Sequence, residues 1–227
     1  MKLRYALLVS TLALAGCAMD AKTNSRASFQ WSSPNKRILL VEPDVQLGEL
    51  TAGGVTEPRA DWTQTAQGFI AKDIAAHFAG TGAEVIHADN LQNPHDVQLA
   101  KLHGVVGQSI LLHLYTPALK LPNKGDALDW TLGPGAMDMR ERYGADYALF
   151  IYVRDSYASA GRVAFIIGAA ILGVGVQGGQ QIGFASLVDL RTGDIVWFNR
   201  LFSTSGDLRT EQPAQKTVDA LIKALPL

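Results

Sequence analysis

The chain has 227 residues, 48% of them hydrophobic and 18% charged, which suits one globular domain with a sizeable core. Its single cysteine excludes an intramolecular disulfide and any zinc site built from several cysteines. Net charge is −1 with no run of Lys and Arg, which argues against a nucleic-acid partner and against a polybasic membrane patch.

Met1-Lys2-Leu3-Arg4 is a short basic start, and Tyr5 to Leu14 is an apolar run broken only by Ser10 and Thr11. Ten residues are too few for a helical span, which needs about 20, and they fit a cleaved signal peptide over residues 1–16. Leu14-Ala15-Gly16-Cys17 follows and resembles the lipobox of bacterial lipoproteins. That resemblance implies cleavage between Gly16 and Cys17. It also implies a diacylglyceryl group on the Cys17 thiol, and a fatty acyl chain such as palmitate on the new amino terminus. Membrane lipid is then the first partner. Loss of residues 1–16 removes Lys2 and Arg4 and leaves 18 basic and 21 acidic residues, a net charge of −3. Ala18 stands where lipoproteins kept in the inner membrane often carry Asp, so the resemblance favours the outer membrane, facing the periplasm. Residues 17–35 are small and polar apart from Phe29 and Trp31. They read as a flexible lipidated tether with a random-coil span of roughly 20–25 Å, leaving 36–227 as the periplasmic domain.

Residues 37–43 form a short apolar run ending at Pro43, a buried strand. Residues 44–58 read as loop, with Gly48, Gly53, Gly54 and Pro58. Trp62, Ala66, Phe69, Ile70, Ala76 and Phe78 recur at helical spacing over 62–79. A strand over 83–88 then completes a strand–helix–strand unit, so the pair is expected to be parallel. Asn93-Pro94 opens a helix to about Leu114 that carries Val97, Leu102, Val106, Ile110 and Leu114. Residues 116–134 read as loop, 137–143 as a short helix closed by Gly144, and 146–154 as the clearest strand in the chain. Strands over 181–190 and 195–203 flank the turn Arg191-Thr192-Gly193-Asp194 as a hairpin, and an amphipathic helix over 210–225 closes the chain. This order predicts a single-domain α/β sandwich: a mixed β-sheet with flanking helices.

Residues 163–176 carry no charged or polar side chain. Fourteen residues are short for a span. Two readings stand. The segment packs against the sheet, or it forms a membrane or oligomer contact through Phe165, Ile166, Ile167, Ile171 and Leu172, with the small pairs Ala164/Gly168 and Ala169/Gly173 permitting close helix approach.

Candidate chemistry is sparse. Gly173, Gly175 and Gly178 match G-x-G-x-x-G, but a dinucleotide site needs those glycines between a strand and a helix, and here they lead into a hairpin. His77, His87, His95, His103 and His113 include no pair three or four apart, so no helical metal pair forms. Asp155 lies near Ser156 and Ser159, and Asp126 near Asp129, without a nucleophile motif such as G-x-S-x-G. No cofactor is expected, and an envelope hydrolase is the weakest reading.

Residues 185–197 (ASLVDLRTGDIVW) resemble a hairpin of envelope lipoproteins related to the curli-secretion lipoprotein, and 142–149 (RYGADYAL) resembles that group's lead-in to a central strand. Relatives include activator lipoproteins of penicillin-binding proteins and predicted peptidoglycan-associated lipoproteins. The resemblance implies a non-enzymatic α/β domain that binds a partner protein in envelope assembly, or that forms a homo-oligomer. The alternative is an oligomeric, membrane-active secretion or translocation component that uses residues 160–179. The long alternating hairpins of a curli-type pore are missing from 163–176.

Overall fold

A computed structural model describes residues 19–31, 37–79, 81–88, 91–204 and 207–227. Cys17 and the predicted signal peptide lie outside the described residues. The strands are β1 (Asp20–Ser25), β2 (Arg37–Val41), β3 (Asp44–Leu50), β4 (Thr56–Pro58), β5 (Glu84–Ala88), β6 (Tyr147–Ala158), β7 (Gln181–Asp189) and β8 (Ile195–Ser203). They form one mixed sheet in the order β1-β8-β7-β6-β2-β5, with β3 pairing β6 and β4 pairing β3. The helices are α1 (Ala60–Phe78), α2 (Pro94–Tyr115), α3 (Ala136–Tyr143), α4 (Ala160–Ile171) and α5 (Glu211–Leu221). The expected α/β sandwich is the observed fold.

Alternation along the strands makes two cores. Ile38 and Leu40 of β2, and Tyr147, Leu149, Ile151 and Val153 of β6, face α1 and α5, meeting Ile70, Ile74, Val218 and Leu221. Leu39 and Val41, with Ala148 and Phe150, face α2 and α3, meeting Leu99, Ile110 and Met139. The β2–α1–β5 unit is parallel as expected, with Ile38 opposite Val85. The hairpin β7–β8 is antiparallel, also as expected.

Two sequence expectations need correction. Residues 44–58 are not simply loop. β3 continues the line of β2 beside β6, and β4 folds back on it. Ile38 is opposite Tyr147 but Asp44 is opposite Tyr152, so the β2–β3 line holds one residue more than β6 around Glu42-Pro43. An extra residue reverses which side chains point to a given face, so Val45 and Leu47 join the core of Ile38 and Leu40. Gly48 lets the hairpin close, because a Cβ there would lie 2.5 Å from Thr56 Cγ2.

The flexible tether is the second correction. Residues 20–25 are a strand, antiparallel to β8 from Asp20 opposite Phe202 to Ser25 opposite Trp197. Arg200 Nη2 donates to Asp20 Oδ2 at 2.6 Å, and Arg26 Nη1 to Asp194 Oδ2 at 3.2 Å. Phe29 and Trp31 then pack edge-on against the Tyr147 ring, at centroid distances of 5.8 and 4.6 Å. These two aromatics, which looked like exceptions in a polar tether, fasten it to the domain.

Candidate functional site

Strand direction decides what meets at one end of the sheet. Asp155 of β6 is level with Gln181 of β7, and Gln181 with Ser203 of β8, while Asp20 opens β1 opposite Phe202. The C-terminal ends of β3, β6 and β8 and the N-terminal ends of β7 and β1 therefore share one end. α4 follows β6 there, and the β3–β4 turn lies alongside.

α4 starts on a cap: Ser159 Oγ accepts from Arg162 N at 3.1 Å. Arg162 closes the base of the helix by donating through Nε and Nη2 to Gln177 O, at 3.1 and 2.9 Å. It also donates through Nη1 to Ala52 O at 3.4 Å. The helix ends at Gly173, whose φ of +76° suits glycine. Only Ala169 is buried, and Ile166 is half-buried. Phe165 and Ile167 are 52% and 59% exposed, and Ile171 and Leu172 81% and 80%. The reading in which this segment packs against the sheet is thus overturned: one narrow face touches the domain and the rest faces outward. Val163 and Val174 extend the surface. Together these side chains present an exposed apolar surface of the kind that marks a contact site. Among the described residues no helix is long and apolar enough to cross a membrane.

Beside α4 lies a cleft of about 290 Å³, lined by residues including Gln46, Thr56, Arg154, Asp155, Ser156 and Gln180. Arg154, Asp155, Ser156 and Gln180 have partners within the fold. Gln181 Nε2 donates to Asp155 Oδ2 at 2.7 Å, Thr217 Oγ1 donates to Gln181 Oε1 at 3.1 Å, and the Tyr157 hydroxyl donates to Asp155 Oδ2. Tyr157 in turn accepts from Leu208 N at 2.6 Å. This chain ties β6 to β7, α5 and the segment before α5. Ser156 exchanges bonds with the Gln180 backbone at 3.1 and 3.3 Å, and Ser159 is spent on the α4 cap. Asp126 pairs with Lys120, and Asp129 with Arg26 and Lys124. The structure brings none of these serines and carboxylates together with a base.

Burial pushes the Asp155 carboxyl up to about 6, against the opposing pull of the Tyr157 and Gln181 hydrogen bonds, with Asp207 adding to the rise. A raised carboxyl lends stability that is complete below the unfolded value of 3.8 and lost as pH rises through 6. Asp155→Asn keeps an acceptor for both donors and carries no charge. It is expected to raise stability at pH 7.5 by up to about 3 kcal/mol and to change little below pH 4. Urea unfolding of both proteins at the two pH values checks this. An equal gain at both would show that ionisation is not the cause.

The histidines do not converge. His103 is 1% exposed, stacked on Phe150 at 5.0 Å and 2.9 Å from Ser186 Oγ. Burial drives it down to about 3, so it is neutral in the core. His113 Nδ1 lies 2.7 Å from Leu119 O, at the short 3-10 turn after α2. Among the described residues no group of three or more His, Cys, Asp or Glu could hold a metal ion. The glycines at 173, 175 and 178 follow a helix and precede β7, the reverse of the dinucleotide arrangement.

No family model matches the chain, and no curated protein matches it. Among solved structures, it is similar to the PelC dodecamer from Paraburkholderia phytofirmans, at 13% identity and a TM-score of 0.42. That match covers 90% of this chain and 95% of the other. It is also similar to the LpoB C-terminal domain from Salmonella enterica, at 16% identity and a TM-score of 0.27, covering 75% and 84%.

Proposed function

We propose that this chain is an outer-membrane lipoprotein anchored through acylated Cys17, whose periplasmic domain acts by binding a partner protein in envelope assembly. One observation carries the reading. The Cys17 of the lipobox-like segment stands only three residues before Asp20, the first residue of a strand built into the sheet. An anchor at Cys17 would leave only two residues between the lipidated cysteine and the sheet, which suits a protein that works by presenting surfaces at a membrane. The fold's use of its own cleft residues supports binding over catalysis: Asp155, Ser156 and Gln181 are committed to contacts between strands and α5.

Cross-linking in intact cells with a short amine-reactive reagent, followed by purification through the lipidated protein, tests the partner. One envelope protein is expected to be joined reproducibly. The same protein should be lost when residues on the domain surface, away from α4, are changed to glutamate. Recovery of nothing beyond the chain itself would sink the partner-binding reading.

A further inference from the structure

We propose that α4 and the loop after it form a second membrane contact, lying in the lipid interface beside the acylated Cys17 rather than against protein. The inference deepens the anchor reading and rests on it only for the orientation of the domain.

The position of the anchor supplies the occupant. β1 runs antiparallel to β8 and β6, so its first residue, Asp20, lies toward the α4 end of the sheet. Three residues reach at most about 11 Å. Ala158 stands four residues beyond Arg154, which is level with Asp20 across β7 and β8, or about 13 Å along the strand. β1 and β6 are three strand spacings apart, about 14 Å. A lipid on Cys17 would therefore be held within about 11 Å of Asp20, at the same end of the sheet as the first turn of α4.

The chemistry agrees. From 160 to 179 the only charged side chain is Arg162, and it sits at the base of the helix. Its guanidinium binds the Gln177 and Ala52 carbonyls and lies 5.7 Å from the Phe165 ring, where apolar surface gives way to polar. Val55, 64% exposed, stands in the neighbouring β3–β4 turn. Twelve helical residues measure about 18 Å, too short to cross about 30 Å of hydrocarbon but long enough to lie in the interface.

The test uses the full mature protein in phosphatidylethanolamine/phosphatidylglycerol vesicles. Cys17 is the only native thiol, and acylation blocks it, so Ile171→Cys and the control Val105→Cys on exposed α2 can each be labelled alone with a fluorophore. Lipids with a nitroxide on the acyl chain are expected to quench the label at position 171 at least about threefold more than that at 105. Equal quenching at both positions would overturn the proposal. So would a label at 171 that lipid nitroxide spares while chains carrying Ile171→Cys cross-link to each other, since α4 would then meet a second copy. The unsubstituted protein reports on the anchor separately. If it takes up label, the anchor reading fails, and the same quenching measured in a Cys17→Ser background still decides where α4 sits.

Discussion

A Cys17→Ser chain should lose all lipid label and keep its first 16 residues, because the thiol is the group that lipobox processing modifies before cleavage. The effect is expected to be complete, since the chain holds no other thiol. Each buried methylene contributes about 0.8 kcal/mol, so a diacylglyceryl group plus an amide-linked chain holds a protein to a bilayer far more firmly than one acyl chain. Metabolic labelling with an alkyne fatty acid, and the intact mass of the purified protein, check the prediction. Label that persists on the variant would show that Cys17 is not the modified residue. In a chain made without residues 1–17, the α4 contact should survive as weak, reversible vesicle binding, because an interfacial helix of about three turns lacks the affinity of covalent lipid.

Gly193→Ala is expected to be among the most damaging single changes in the domain, costing about 3–5 kcal/mol. Gly193 sits in the β7–β8 turn at φ +78°, where an alanine is strained. Space is the larger problem. A Cβ there would lie 2.0 Å from Gly133 O and 2.7 Å from Gly133 C, and these are backbone atoms that cannot swing aside. The approach is fixed from both sides: Leu132 N donates to Gly193 O at 2.8 Å, Ile195 N donates to Trp130 O at 2.9 Å, and Thr131 bridges to Asp194. Gly125→Ala isolates the strain alone, since Gly125 has φ +56° with nothing within 4 Å of its would-be Cβ, and should cost about 1 kcal/mol. Equilibrium urea unfolding of the two variants decides the matter. Equal losses would mean that segment 130–133 does not press on the turn.

Much of this fold was legible in the sequence, and the exceptions have identifiable causes. The apolar runs of β2, β5 and β6, the hairpin and the periodicity of α1 and α5 each obey one simple rule of spacing. β3 is hidden because the extra residue near Pro43 reverses the alternation in mid-line, and because Gly48, which looks like a loop residue, makes room for Thr56. β1 is hidden because an exposed edge strand of polar residues has no apolar alternation to show. In α2 the expected stripe included Leu102, which is 40% exposed, while the helix buries His103 and Gly107. Neither looks like a core residue in isolation. Gly107 is buried because the Phe184 ring fills the space its side chain would take, with ring atoms 2.0 Å and 2.3 Å from a Cβ placed there. Pattern reading cannot see a cavity filled from another strand. For α4 the sequence established only that the segment avoids water, and burial in protein and exposure toward lipid satisfy that preference equally.

The antiparallel pairing of β1 with β8 also determines how far the protein can act. A coil of about 18 residues would let the domain roam through a shell of roughly 20–25 Å and meet targets at many heights and angles. With six of those residues paired to Phe202 through Trp197, a lipid on Cys17, as proposed, would make the segment a mount instead of a leash. Anchored that way, the domain would have little freedom to roam, and its reach would be the length of its own sheet, about 40 Å along the twelve residues of β6. The turn at 190–194 and helix α3 lie at the other end of the sheet from α4, beside the N-terminal ends of β2 and β5. A partner embedded in the membrane would meet the flanks of the sheet, and one fixed in the cell wall would meet that tip.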